Sequence, residues 1–139
     1  MVLKGKPITL LLYKMVLKMV SEDYGNFLKE YKWNYIATIR PNFKLTEVRA
    51  ERLAKNMLSH WEVKKIFYSV EKDLNDDWYH MHLILDAVNV TKRTLTEYLG
   101  WNDTKVIGYL ERINDKEAVS HYCTKSIGKT ALCYNFMMK

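Results

Sequence analysis

Apolar residues two apart share one face of a strand, and those three or four apart share one face of a helix. Residues 33–40 alternate and stop at Pro41, which predicts a first strand. Trp33, Tyr35, Ala37 and Ile39 fall on one side of it, and Asn34, Thr38 and Arg40 with Ile36 on the other. Ala50, Leu53, Ala54, Met57, Leu58 and Trp61 recur at helical spacing and predict a helix over residues 45–60. Residues 65–72 and 79–87 read as two strands joined by a polar turn at 73–77, a hairpin. Residues 91–99 read as a short helix closed by Gly100, and 104–113 as a fourth strand. A last helix over 115–127 has Asp115 as its N-cap and Gly128 as its stop. Upstream, Ile8, Leu11, Leu12, Met15, Val16 and Met19 fit helical spacing, and residues 21–31 read as a second short helix.

From residue 33 the order is β-α-β-β-α-β-α. Its first six elements are the ferredoxin-like βαββαβ pattern, an α+β antiparallel sheet with helices on one face. The expected organisation is an N-terminal extension at 1–30 and one domain at 31–139, with no linker, repeat or low-complexity tract. The sheet face away from the helices is expected to be open.

A chain of 139 residues with 48% apolar content can bury a core. Lysine and arginine number 22 against 16 aspartates and glutamates, a net charge of +6 that favours a polyanionic partner such as nucleic acid. Cys123 and Cys133 form no CxxC, which excludes a disulfide scaffold and leaves two reduced thiols. Residues 8–20 are apolar but carry Lys14 and Lys18 and fall short of the roughly 20 apolar residues of a membrane span. No small-residue cleavage site follows them. The segment is expected to pack on the domain or to join two copies as a homodimer, with no membrane involved.

Chemistry concentrates in Tyr79-His80-Met81-His82-Leu83. On a strand, His80 and His82 project from one face while Met81 and Leu83 pack from the other. On the partner strand Ile66, Tyr68 and Val70 form the apolar face, so Glu71 shares the side of the histidines. Two imidazoles and one carboxylate, with positions left for water or substrate oxygens, suit Mn or Mg at a phosphate; Zn and Fe also accept such ligands. Asp73, Asp76 and Asp77 are rival carboxylates that read as turn residues. On the last predicted helix Tyr122, Lys125 and Lys129 fall at i, i+3 and i+7 along one face. A phenol is a competent nucleophile when a cation polarises the electrophile, and a nearby lysine can hold a phosphate. His121, one position away, points about 100° from Tyr122 and reads as a surface residue.

The three patterns together resemble the HUH endonucleases, and more narrowly the single-tyrosine rolling-circle replication initiators (Rep proteins) of small viruses, phages and plasmids. Residues 35–41 sit where that family has its first motif, Glu71 with His80-Met81-His82 where it has the second, and Tyr122-Cys123-Thr124-Lys125 where it has the third. The resemblance spans about residues 33–129. It implies site-specific nicking and joining of single-stranded or hairpin DNA at a replication origin. The cation would be held by Glu71, His80 and His82, and Tyr122 would form a 5′-phosphotyrosine and free a 3′-OH. Lys125 would position the phosphate. The strand would lie on the open face, with Asn34, Thr38, Arg40 and Lys129 as DNA contacts. Lys44, Arg49, Arg52, Lys64, Lys65, Lys92, Arg93 and Lys105 are further candidates for backbone contacts. No Walker A pattern occurs, so any helicase would be a separate protein. The implied location is the host cytoplasm or, in a eukaryotic host, the nucleus. The rival readings are a single-tyrosine HUH transposase of a small insertion sequence and a non-catalytic ferredoxin-like nucleic-acid-binding domain.

Overall fold

Strand periodicity builds the described part of the chain around one five-stranded antiparallel sheet. The computed structural model describes residues 26–73, 78–115 and 131–139. Its elements are β1 (Tyr35–Ile39), α1 (Glu47–Leu58), β2 (Val63–Lys72), β3 (Tyr79–Ala87), α2 (Lys92–Tyr98), a 3-10 turn (Thr104–Val106), β4 (Ile107–Arg112) and β5 (Ala131–Met138). The described strands lie in the order β4-β1-β3-β2-β5, each pair antiparallel. This α+β arrangement is compatible with a ferredoxin-like type of fold.

The helices start where the sequence supplies caps. Thr46 Oγ1 accepts from Arg49 N at 3.2 Å and opens α1. Thr91 and Thr94 form a reciprocal box that opens α2. Gly100, at φ +82°, follows α2 in the left-handed region that a side chain resists. Ala50, Leu53, Ala54 and Met57 of α1, and Leu95, Tyr98 and Leu99 at α2, bury against Tyr35, Ala37, Ile39, Ile66, Tyr68, Val70, Met81, Leu83 and Leu85. The odd positions of β1 and β3 and the even positions of β2 therefore face the helices.

Three expectations are corrected, and one strand was not foreseen. The first part of 104–113 is a 3-10 turn, because Asp103 caps it through Lys105 N at 2.9 Å, and β4 begins only at Ile107. Residues 131–139, which the sequence pattern left without an element, hold the edge strand β5 on β2. Trp33 precedes β1, so the pleat does not fix its side. It turns away from the helices, donates its indole N–H to Leu28 O at 2.8 Å, and packs with Ile36, Phe67 and Ile84. The face away from the helices is thus not wholly open: a short helical segment at 26–29 and the chain up to Trp33 cover one half of it. Phe27, Tyr31 and Trp33 each meet the ring of Phe136 from β5. Lys65 pairs with Asp86 at 2.7 Å, with both side chains largely buried, and lies over the rings of Tyr31 and Trp33. The predicted helix at 115–127 lies beyond the described residues apart from Asp115, and so do residues 1–25.

Replacing Trp33 with alanine removes the lid of this second cluster and the hydrogen bond to Leu28. The expected loss is about 3–5 kcal/mol in urea unfolding, and a loss below about 1 kcal/mol would remove Trp33 from that role. A second prediction concerns Tyr68. Burial, more than the neighbouring Cys133 thiol, pushes its phenol from 10.0 up to about 12, against a lowering hydrogen bond from Asn135. The folded chain holds this proton more tightly than the unfolded one. The associated stability is complete below pH 10 and is lost as pH rises through the 10–12 window. Tyr68→Phe should flatten the fall in stability across that window, read from denaturant midpoints; an unchanged slope would contradict the assignment.

Candidate metal centre

Hairpin register builds the site. Glu71 lies opposite His80, and Ser69 opposite His82. Val70 and Met81 are buried toward the helices, so Glu71, His80 and His82 project from the other face. The parity expected from sequence holds at all three.

The donors converge. His80 Nε2 lies 3.1 Å and His82 Nε2 3.8 Å from the same oxygen, Glu71 Oε2. One ligand atom from each residue falls within 4.8 Å of the others. A cation about 2.0–2.2 Å from each donor needs donors roughly 3–3.5 Å apart, so small side-chain rotations would close the set around one ion. The rings meet edge to face with centroids 4.8 Å apart. The side chains are only 11%, 13% and 15% exposed for His80, His82 and Glu71. A carboxylate this withdrawn from water needs a positive partner.

Each imidazole has an oxygen at its other nitrogen. Thr38 Oγ1 is 3.3 Å from His82 Nδ1. Asp73 Oδ1 is 2.6 Å from His80 Nδ1, at ion-pair distance, although the contact is not aligned as a full hydrogen bond. His80 therefore has a carboxylate on both sides of its ring. With Asp73 on the Nδ1 side, Nε2 is the His80 atom that faces Glu71, and it is the nitrogen that would hold a metal. Ser69 Oγ, on the same face, is buried with no hydrogen-bond partner among the described residues. The donor set, its burial and its ring partners fit a divalent metal.

The other expected site residues are placed as follows. Thr38 is 6% exposed and directs its hydroxyl at His82. Asn34 lies at the far end of β1, where Oδ1 accepts from Ala87 N at 3.0 Å. Arg40 borders the site, half-exposed, with Nη1 3.3 Å from Asp73 Oδ2. Tyr122, Lys125 and Lys129 lie outside the described residues. Arg49 and Arg52 on α1, and Lys92 and Arg93 on α2, stand on the helix side of the sheet, away from the metal ligands. Lys65 is on the ligand face but is held by Asp86. A cavity of about 610 Å³ beside the site is lined by Ile36, Thr38, Arg40, Tyr109, Glu111 and Arg112, among others. Sequence reasoning missed the part Asp73 plays. Its signal was available, because residue 73 shares strand parity with residue 71.

No family model, curated protein or solved structure matches the chain. Among the described residues no helix is long and apolar enough to cross a membrane.

Titration with Mn²⁺ should show one site, and His80→Ala, His82→Ala and Glu71→Ala should each weaken it at least about tenfold. At 100 times its dissociation constant the ion should add about 2.7 kcal/mol to unfolding stability, a gain lost in His80→Ala. Equal gains in wild type and variant would place the ion elsewhere.

Proposed function

We propose that this chain is a metal-dependent nicking and joining enzyme for single-stranded DNA, of the HUH type and ferredoxin-like in topology with β5 added at the sheet edge. The convergence of His80 Nε2, His82 Nε2 and the Glu71 carboxylate away from the helices carries the reading. The strand order β4-β1-β3-β2 agrees with it, since the order sets the HxH strand in the interior of the sheet. Two imidazoles favour Mn over Mg, which prefers an all-oxygen shell.

The cation would supply charge to polarise a scissile phosphate. The Tyr122 phenol oxygen attacks phosphorus, and its proton passes to solvent or a nearby base. The bond from phosphorus to O3′ breaks, and O3′ leaves as a hydroxyl after taking up a proton. The 5′-phosphate remains on Tyr122, and attack by a 3′-OH reverses the step and joins strands. The ester keeps the bond energy, so no nucleotide cofactor enters. Lys125 and Lys129 neutralise the phosphate. Arg40, paired with Asp73 beside His80, contacts the DNA backbone. The substrate is single-stranded or hairpin DNA at a replication origin, opened by a separate helicase.

Incubation of the chain with labelled single-stranded DNA and Mn²⁺ tests this. A covalent adduct that survives denaturant, needs Mn²⁺ and is lost in Tyr122→Phe is the expected result. DNA binding without adduct across varied hairpin sequences would leave a non-catalytic binding module instead.

A further inference from the structure

Asp73 closes the hairpin, with its backbone N donating to Trp78 O at 2.8 Å. A turn position of this kind ordinarily leaves its carboxylate in water. Here the side chain is only 25% exposed and both oxygens face partners: Oδ1 lies 2.6 Å from His80 Nδ1, close but short of hydrogen-bond alignment, and Oδ2 accepts from Arg40 Nη1 at 3.3 Å. We infer that Asp73 is a positioning residue for the metal centre: it fixes the proton of His80 on Nδ1 and turns Nε2 toward Glu71, while Arg40 holds Asp73 in place. The inference rests on reading Glu71, His80 and His82 as metal ligands.

The geometry separates this role from direct ligation. Nδ1 and Nε2 point away from each other across the imidazole, so a carboxylate seated on Nδ1 stands behind the ring from an ion on Nε2. Asp73 accordingly lies outside the converging set of Glu71, His80 and His82. Carboxylates behind metal-bound histidines raise ligand basicity and lock ring orientation, and their loss commonly weakens metal binding by about 10–100-fold. Asp73 is also fixed at three points: its backbone, His80 and Arg40. A side chain so held loses little further freedom when the ion arrives. Thr38 stands in the same relation to His82, but through a longer contact of a neutral hydroxyl. The larger share of orientation falls on Asp73. Arg40 then acts on the site through Asp73, in addition to any contact with DNA.

Calorimetric titration of the full chain with Mn²⁺, for wild type, Asp73→Asn, Asp73→Ala and Arg40→Gln, tests the assignment. Asparagine keeps an acceptor at the ring and loses the charge, whereas alanine loses both. Orientation predicts a graded loss, with Asp73→Ala weaker by about 10–100-fold, Asp73→Asn in between, and Arg40→Gln weaker by a few-fold. In the Zn²⁺-loaded protein, the His80 Nδ1 proton should give a downfield, slowly exchanging NMR resonance that shifts in Asp73→Asn. Equal losses for Asn and Ala would reduce Asp73 to a general negative charge and overturn the proposal. Binding by Asp73→Ala within twofold of wild type would do the same. If the Ala variant fails to fold by circular dichroism, the Asn variant and the NMR signal decide. Wild type that takes up no Mn²⁺ or Zn²⁺ would instead sink the metal reading, and this inference with it.

Discussion

The two-residue repeat of the β2–β3 hairpin governs the molecule, because both faces of this hairpin are specified. Ile66, Tyr68, Val70, Met81, Leu83 and Leu85 must meet the helices, while Phe67 and Ile84 must meet Leu28 and Trp33. In an ordinary half-buried hairpin the apolar face alone sets the register. Here the second face carries both a dry cluster and the polar trio of Glu71, His80 and His82. A one-residue slip would send that trio beneath α1 and α2, where unpaired polar groups cost several kcal/mol each. Polar residues thus define the register here as firmly as apolar ones.

The ligand face divides along the strands. One half is the aromatic cluster of Trp33, Phe67, Tyr31 and Phe136, and the other holds Thr38, Ser69, Glu71, His80 and His82. The boundary is abrupt: on β2, Phe67 is followed at the next same-face position by Ser69 and then by Glu71. Water is excluded from one side of the ligand set, which lowers the local dielectric and strengthens each charge–charge contact within it. The Lys65–Asp86 pair pins the chain before β1 onto this cluster. Segment 26–33 is therefore part of what shapes the site's surroundings.

Period and parity were enough to read the strands of the hairpin, both helices and the metal trio, because each residue's side follows from its neighbours once the strand is known. The span 79–87 coincides with β3. Features set by contacts distant in sequence were not legible. Trp33 continued the odd face of β1 on paper, but it lies outside the strand, and a carbonyl five residues earlier decides its direction. β5 is apolar at nearly every position, so no alternation marks it; only pairing with β2 makes it a strand. Thr38 and Arg40 were read as facing a substrate, yet each first serves a side chain around the histidines. That distinction depends on distances across the sheet, which a linear pattern does not carry.

Approach to the candidate ligands follows from the same division. Among the described residues the aromatic cluster blocks one end of the face, whereas the β1–β4 side holds the cavity lined by Thr38, Arg40, Tyr109 and Arg112. Thr38 and Arg40 join that cavity to the trio, Thr38 through His82 and Arg40 through Asp73 beside His80. Among the described residues, the arginines and lysines of α1 and α2 stand across the sheet from this cavity, and Glu111 lines it. At physiological salt, charges more than about 8 Å away through solvent are largely screened. Among the described residues, positive charge at the cavity therefore comes from Arg40 and Arg112, which line it. Glu71 places one carboxylate beside His80 within the trio, and Asp73 places a second beside it outside the trio. Under the proposed function, a cation held by Glu71, His80 and His82 would offset these carboxylates and let this part of the sheet accept a phosphate.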